Sequence, residues 1–371
     1  MKRSDFRRYA LSSGVAAAML AGCGGSQPPI GAAGAVPPST TIRARSPLGL
    51  ASSRHTAKKR WFLYLGNMRG YSSKFKVYPL GGSRPIRSFS RSWNVYAIAI
   101  DPWNDVYTTN GFVSDTEVTA YTPGGKAVLL NIGTGFGAPE GLAFDSHGNL
   151  WLADTVNIEE YAARSTNLLR IIKVPGCYSL AIDSSDNVYV ACGGNHRKNE
   201  IDVFAPGASS PFRTITQGID LPRVLMFDGS GNLFVANCSP CDSYGKKHGG
   251  SITVYAPGSG VPSRTITNGI DWPVAMAFDG EGNLAVANSP WTGKGSVAVY
   301  GSASHPMYTI VKDIASPNAI AADPSGNVYV SNLPVAGDKG FSVTVYNARG
   351  SLLRTITDGV KVPTALAIGS D

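Results

Sequence analysis

One unit recurs along this chain, and its last copy stops halfway. The fullest copy runs from Pro222 to Asn237 as Pro-Arg-Val-Leu-Met-Phe-Asp-Gly-Ser-Gly-Asn-Leu-Phe-Val-Ala-Asn. A Ser-Ile-Thr-Val-Tyr run (251 to 255) and an Arg-Thr-Ile-Thr run (264 to 267) follow it. The central Asp returns as Asp101, Asp145, Asp183, Asp228, Asp279 and Asp323. Each copy therefore holds four short apolar or alternating runs separated by turn residues, which is strand patterning rather than helix patterning.

A repeat of about 45 residues carrying four strands is the signature of propeller blades. The final run, Pro363 to Ile368, matches Pro222 to Phe227 but lacks the strand that should follow. That strand lies at the other end: Leu63-Tyr64-Leu65-Gly66-Asn67 matches Leu233 to Asn237 and leads into its own third and fourth runs. The expected fold is all-β, a seven-bladed β-propeller closed in blade one by N- and C-terminal strands. Such closure hides both open sheet edges.

Within a copy, Asp145-Ser-His-Gly-Asn149 separates Leu142-Ala-Phe144 from Leu150-Trp-Leu-Ala153. Gly beside Asn supplies the positive φ of a hairpin turn, and the Asp carboxylate can accept backbone hydrogen bonds. This element reads as structural, because a calcium loop needs several more carboxylates. With these residues in view, the repeat resembles NHL-type propellers, whose units read much like Pro-x-Gly-Leu-Ala-Phe-Asp-x-x-Gly-Asn-Leu-x-Val-Ala-Asn. The likeness covers 61 to 371. It implies that the first run is the innermost strand, and that connections entering it share a face with those between the second and third runs. Insertions in this chain gather on those connections: Gly193 to Glu200, Cys238 to Gly250, Ser289 to Gly295 and Leu333 to Gly340. Long variable connections on a regular scaffold are where binding usually resides.

Three segments are expected: a lipoprotein signal peptide at 1–22, a flexible tether at 23–60 and the propeller at 61–371. Lys2, Arg3, Arg7 and Arg8 precede a weakly apolar stretch that ends Leu20-Ala21-Gly22-Cys23. The ending resembles a bacterial lipobox, which implies cleavage before Cys23 and lipid attached to it. Acyl chains on Cys23 would hold the protein to a membrane without a spanning helix. Arg7-Arg8 also resembles a twin-arginine export signal, although Tyr9 and Ala10 stand where that pattern has a Phe-Leu pair. The expected location is the bacterial cell envelope, on the extracytoplasmic side.

The net charge of +8 invites a nucleic-acid reading until it is divided by region. Ten of the 33 Lys and Arg and one of the 25 acids fall in residues 1–60. The remainder is close to neutral, so nucleic acid is not expected as a partner. Gly, Pro, Ser and Ala dominate the tether and cannot build a core. Its basic cluster, Arg54, Lys58, Lys59 and Arg60, reads as solvated linker or as a contact to an anionic lipid surface.

Four cysteines remain beyond Cys23, an even number that reads as two disulfides in an exported domain. Cys177 and Cys192 flank one hairpin, and Cys238 and Cys241 share one loop. Cys238-x-x-Cys241 with His248, beside His196 of the preceding blade, also has zinc-like residue types, but the spacing to His is irregular. Tyr244 and Trp291 lie in the long loops and are candidates for stacking on a partner, as His196 and His248 are for contacting one.

Two rings of positions are candidates for the channel mouth. Five residues before each Asp stand Tyr96, Glu140, Tyr178, Arg223, Val274, Asn318 and, by alignment, Thr364. Nine residues after it stand Asn110, Asp154, Cys192, Asn237, Asn288 and Asn332, with Asn67 completing the set. Asn or Asp just past a strand commonly caps the following turn, so the second ring reads as structural. Glu140 and Asp154 are a carboxylate pair in one blade. With Asn110 nearby they could hold a divalent metal, or Glu140 could act as a base while Arg223 holds an anionic substrate. The resemblance to gluconolactonase-like and virginiamycin B lyase-like propellers implies metal-assisted chemistry in that place. Only Glu140 is a carboxylate in its ring, however, which favours a ligand- or protein-binding or assembly module over a metal-dependent lactonase or lyase. No cofactor is expected on that reading, with a divalent metal reserved for the alternative. The partner is a protein, glycan or small molecule at the loop face, and a monomer is expected.

Overall fold

Six of the seven blades are organised around a turn Asp. In the computed structural model, one carboxylate oxygen of Asp228 accepts the amides of Ser230 and Asn232, and the other accepts the Asn232 side-chain amide at 2.8 Å. This pattern holds the hairpin between the first two strands, and it recurs at Asp145, Asp183, Asp279 and Asp323. The third turn residue takes a left-handed backbone: Gly148, Gly231, Gly282 and Gly326, with Asn104 and Asp186 in the other two.

The structure describes residues 59–68, 74–89, 94–112, 115–134, 141–154, 156–193, 198–238, 249–290, 294–334 and 340–371. These form seven antiparallel four-stranded sheets with no helix. In blades 2 to 7 the strands lie in sequence order. Their first strands are Asn94–Ile100, Gly141–Phe144, Cys177–Ile182, Pro222–Phe227, Pro273–Phe278 and Ser316–Ala322. Blade 1 is composite: Pro363–Ser370 pairs with Trp61–Asn67, in register from Trp61 opposite Ser370 to Asn67 opposite Pro363. The first strands touch their counterparts in the adjacent blades, which makes them the innermost strands around the axis.

The core lies between blades. One cluster joins Ala181, Tyr189 and Val203 of blade 4 to Leu225, Leu233, Val235 and Tyr255 of blade 5, all at most 3% exposed. Because both faces of each inner sheet are covered, the strands are nearly continuously apolar. The recurrent third-strand tyrosines add a polar latch at the edge of this packing. Tyr255, Tyr300 and Tyr346 donate to the carbonyls of Gln217, Asn268 and Lys312 at 2.6 Å, and Tyr78 donates to Asp358 at 2.7 Å. Each hydroxyl thus grips the connection leaving the preceding blade. Burial pushes the Tyr300 hydroxyl up to about 12, so it stays a donor at any ordinary pH.

Candidate functional site

The register explains why the residue five before each Asp stands apart. In the innermost strand of blade 5, Pro222 pairs with Asn237 and Val224 with Ala236, which leaves Arg223 as the extra residue of a β-bulge. The same bulge places Tyr96, Tyr178, Val274, Asn318 and Thr364. A bulge re-aims a side chain out of the ladder, and bulges are common beside binding sites.

The Tyr96 hydroxyl accepts the Asn94 amide of its own strand at 3.5 Å, whereas three other bulge side chains reach to the next blade. The Asn318 amide donates to the Pro363 carbonyl at 3.2 Å, and the Thr364 hydroxyl to the Val95 carbonyl at 2.5 Å. The Arg223 guanidinium lies 5.8 Å from the Trp272 ring centroid, a cation–π contact from blade 5 to blade 6. Part of this ring therefore stitches the innermost strands together, with Arg223 half-exposed among them.

The second ring is buried and committed. Asn237 is 1% exposed; its Oδ1 accepts the Asp220 amide at 3.0 Å, and its Nδ2 donates to the Gly218 carbonyl and the Thr253 hydroxyl. Asn288 holds Asp271 and Gly269 in the same way, and Asn67 holds Lys361 and Gly359. Asn332 accepts the Ala315 amide and donates to Thr344. These asparagines reach back to the connection entering the innermost strand, not merely forward to the next turn. The connection needs a left-handed residue, a glycine before blades 5, 6 and 1 and Asp313 before blade 7. Gly218 has φ +75°, and an added Cβ would come within 2.8 Å of Pro262.

Three blades depart from the pattern. In blade 2, Asn110 donates to Thr119 at 2.9 Å while its buried Oδ1 has no partner among the described residues. In blade 3, Asp154 caps the following turn as expected, accepting the amides of Val156 and Asn157 at 2.6 Å. In blade 4 the ring position is Cys192, disulfide-bonded to Cys177 directly opposite.

Asp154 has a carboxylate neighbour that the repeat pattern did not single out. Glu159 is 5% exposed, accepts the Tyr161 hydroxyl at 2.6 Å, and stands where blades 2, 5 and 7 carry Thr119, Thr253 and Thr344. Burial raises its carboxyl above the usual range, and the nearby Asp154 charge adds to that shift. The signal was a polar residue recurring inside the otherwise apolar third run.

Glu140, Cys23, Cys241, Tyr244, Trp291, His196 and His248 lie outside the described residues. Cys238 is disulfide-bonded, with its partner also outside them. Arg223, Asn110 and Asp154 sit on three different blades, and the latter two are each engaged within their own. Among the described residues no three His, Cys, Asp or Glu side chains gather as metal ligands, and no helix is long and apolar enough to cross a membrane.

No family model matches this chain, and no curated protein does. Among solved structures it is similar to a functionally unknown protein from Desulfotomaculum acetoxidans DSM 771, with a TM-score of 0.63 and 12% identity over 83% of this chain and 98% of that one. It is also similar to Kuenenia stuttgartiensis hydrazine synthase, with a TM-score of 0.58 and 16% identity over 72% of this chain and 87% of that one. A protein of unknown function from Bacteroides caccae aligns with a TM-score of 0.50 and 12% identity, over 84% and 99%. Identities this low carry the fold and no particular chemistry. The chain is a seven-bladed β-propeller closed by its own two ends.

Proposed function

We propose that this protein is a lipid-anchored, extracytoplasmic propeller that serves as a ligand- or protein-binding or assembly module. Cys23 would carry the lipid, residues 23–60 would act as the tether, and the partner would meet the loop face of blades 4 to 7. The observation that carries this reading is the commitment of the second ring. Asn67, Asn237, Asn288 and Asn332 spend their side chains on the scaffold's own backbone and hydroxyls, which leaves recognition to the inserted connections. Tyr244 and Trp291 are the aromatic anchors of that surface.

One observation favours the second reading, a metal-dependent lactonase or lyase: Asp154 and Glu159 place two buried carboxylates beside one another. Both are already occupied, however, Asp154 by two amides and Glu159 by a tyrosine. Two experiments test the proposal. Replacing Cys23 with Ser should abolish incorporation of a labelled fatty acid and release the protein from the membrane fraction; unchanged labelling refutes the anchor. Metal analysis of the full chain before and after chelation, with Glu140→Gln alongside, addresses the class. A stoichiometric divalent ion lost on Glu140→Gln establishes the enzyme reading. An indifferent protein that loses in-cell crosslinks on truncation of Tyr244 or Trp291 supports the binding module.

A further inference from the structure

The turn of blade 2 departs from its siblings at a single group. In blades 3 to 7 the turn Asp receives the side-chain amide of the Asn four residues later, at 2.8–2.9 Å. In blade 2 that residue is Asp105, so a second carboxylate stands where a donor belongs. Asp101 is 1% exposed and Asp105 is 0% exposed. The amides of Trp103 and Asp105 satisfy Oδ1 of Asp101, but its Oδ2 and the Oδ1 of Asp105 are both buried without a hydrogen-bond partner among the described residues. Tyr107 holds the position of Tyr329, whose hydroxyl donates to Asp323 at 3.2 Å, yet the Tyr107 hydroxyl is also buried and unpartnered. The blade was built for a donor at this point and lacks one.

Charge points the same way. Arg164, from the turn between the third and fourth strands of blade 3, donates through Nε to Oδ2 of Asp105 at 2.6 Å and lies 5.2 Å from the Trp103 ring centroid. One guanidinium faces two carboxylates, so one negative charge is left buried, which is strongly unfavourable. The other neighbours are neutral: Tyr107 on the second strand, Trp103 and Asn104 in the turn, and Ser370 of blade 1, which donates to Asn104.

We propose that Asp101 and Asp105 share one proton, held as a carboxyl–carboxylate hydrogen bond between Oδ2 of Asp101 and Oδ1 of Asp105, so that blade 2 and its Arg164 clasp to blade 3 tighten when the proton binds. The proton comes from bulk water and returns to it. It supplies the missing donor and cancels the surplus charge in one step. A metal ion fits worse: calcium takes six to eight oxygens, whereas the described residues of this turn and strand offer three unpartnered ones. Burial, reinforced by the Asp105 charge, lifts the Asp101 carboxyl to about 6, against the amides of Asp105 and Trp103 and the Arg164 charge. A carboxyl raised in the folded state contributes stability that is complete below its unfolded value and is lost as pH rises through about 6.

The test compares the full-length wild type with Asp105→Asn by equilibrium unfolding from pH 8 to pH 5. In the variant the Asn amide would donate to Asp101 and its oxygen would accept Arg164, so the sibling pattern is restored without the proton. The wild-type folding constant should gain roughly tenfold over the variant's across that interval. All other side chains are common to both proteins, so the comparison isolates position 105. Identical pH dependence in the two overturns the proposal. A wild type selectively stabilised by sodium, potassium or calcium ions also overturns it, because the site would then bind a cation. Should the variant not fold, infrared difference spectra of the folded wild type between pH 5 and pH 8 decide. They must contain a buried protonated carboxyl band that Asp101→Asn removes, and its absence rejects the shared proton.

Discussion

Blades 4 and 5 solve one mechanical problem with different chemistry. In both, the start of the innermost strand must be tied to the end of the second. Blade 5 places Pro222 opposite Asn237 and ties the connection with the Asn side chain, through hydrogen bonds to Asp220, Gly218, Ser251 and Thr253. Blade 4 places Cys177 opposite Cys192 at the same register and closes the gap with a covalent bond. The difference teaches that this position is a clamp point of the scaffold, filled by whatever joins the two strands. The blade 4 clamp is itself a disulfide, whereas the Asn237 clamp is made of hydrogen bonds, with the disulfide-bonded Cys238 beside it.

That comparison can be broken most strongly at the covalent clamp. Replacing Cys177 and Cys192 together by Ala should cost about 3 kcal/mol, the entropy of a loop of about 15 residues, measured by chemical unfolding under oxidising conditions. A loss below about 1 kcal/mol would show that blade 4 does not depend on it. Next in size, Asn237→Ala should cost about 2 kcal/mol, because it removes hydrogen bonds to Asp220, Gly218 and Thr253 at once.

The comparison is sharpened by transplanting one solution into the other blade. Cys177→Pro with Cys192→Asn should recover about 1 kcal/mol relative to the double Ala variant, and it should make stability indifferent to a reductant acting at this pair. No recovery would mean that the two blades are not interchangeable at this point. A smaller effect is expected at the latch beside the blade 5 clamp: Tyr255→Phe removes one hydroxyl from Gln217 and should cost about 1 kcal/mol.

Blade 3, whose ring position is Asp154, supplies the last contrast. Glu159 has a raised carboxyl, so its contribution to stability is present at acid pH and fades as pH rises through its folded value. Glu159→Gln should flatten that part of the pH profile, whereas Thr253→Val in blade 5 should not alter its shape. An unchanged profile in Glu159→Gln would remove Glu159 from the list of titrating groups.

Much of this was legible from the chain, and the exceptions share one cause. The Asp-x-x-Gly-Asn turn could be read residue by residue because its partners lie within four positions of the Asp. The asparagine ring could be placed but not understood. Asn237 finds its partners 17 and 19 residues back along the chain, brought near only when the blades assemble. Glu159 was overlooked because its meaning depends on Asp154, just past the end of the neighbouring strand. The Cys177–Cys192 pair needed the strand register, which one bulge residue shifts.

The amino-acid sequence by itself determined the number of blades, the four strands in each, their turns and the closure of blade 1 by both ends. These follow from local periodicity and from counting repeats, which require no knowledge of distance. Only the tertiary structure decided what the polar residues do: which oxygen is satisfied by which amide, that the ring ahead of the Asp is a ring of bulges, and that blade 2 buries two carboxylates against one guanidinium. Hydrogen bonds and charges act over a few ångströms, and in a propeller many of the groups within that reach come from residues dozens of positions away or from the neighbouring blade.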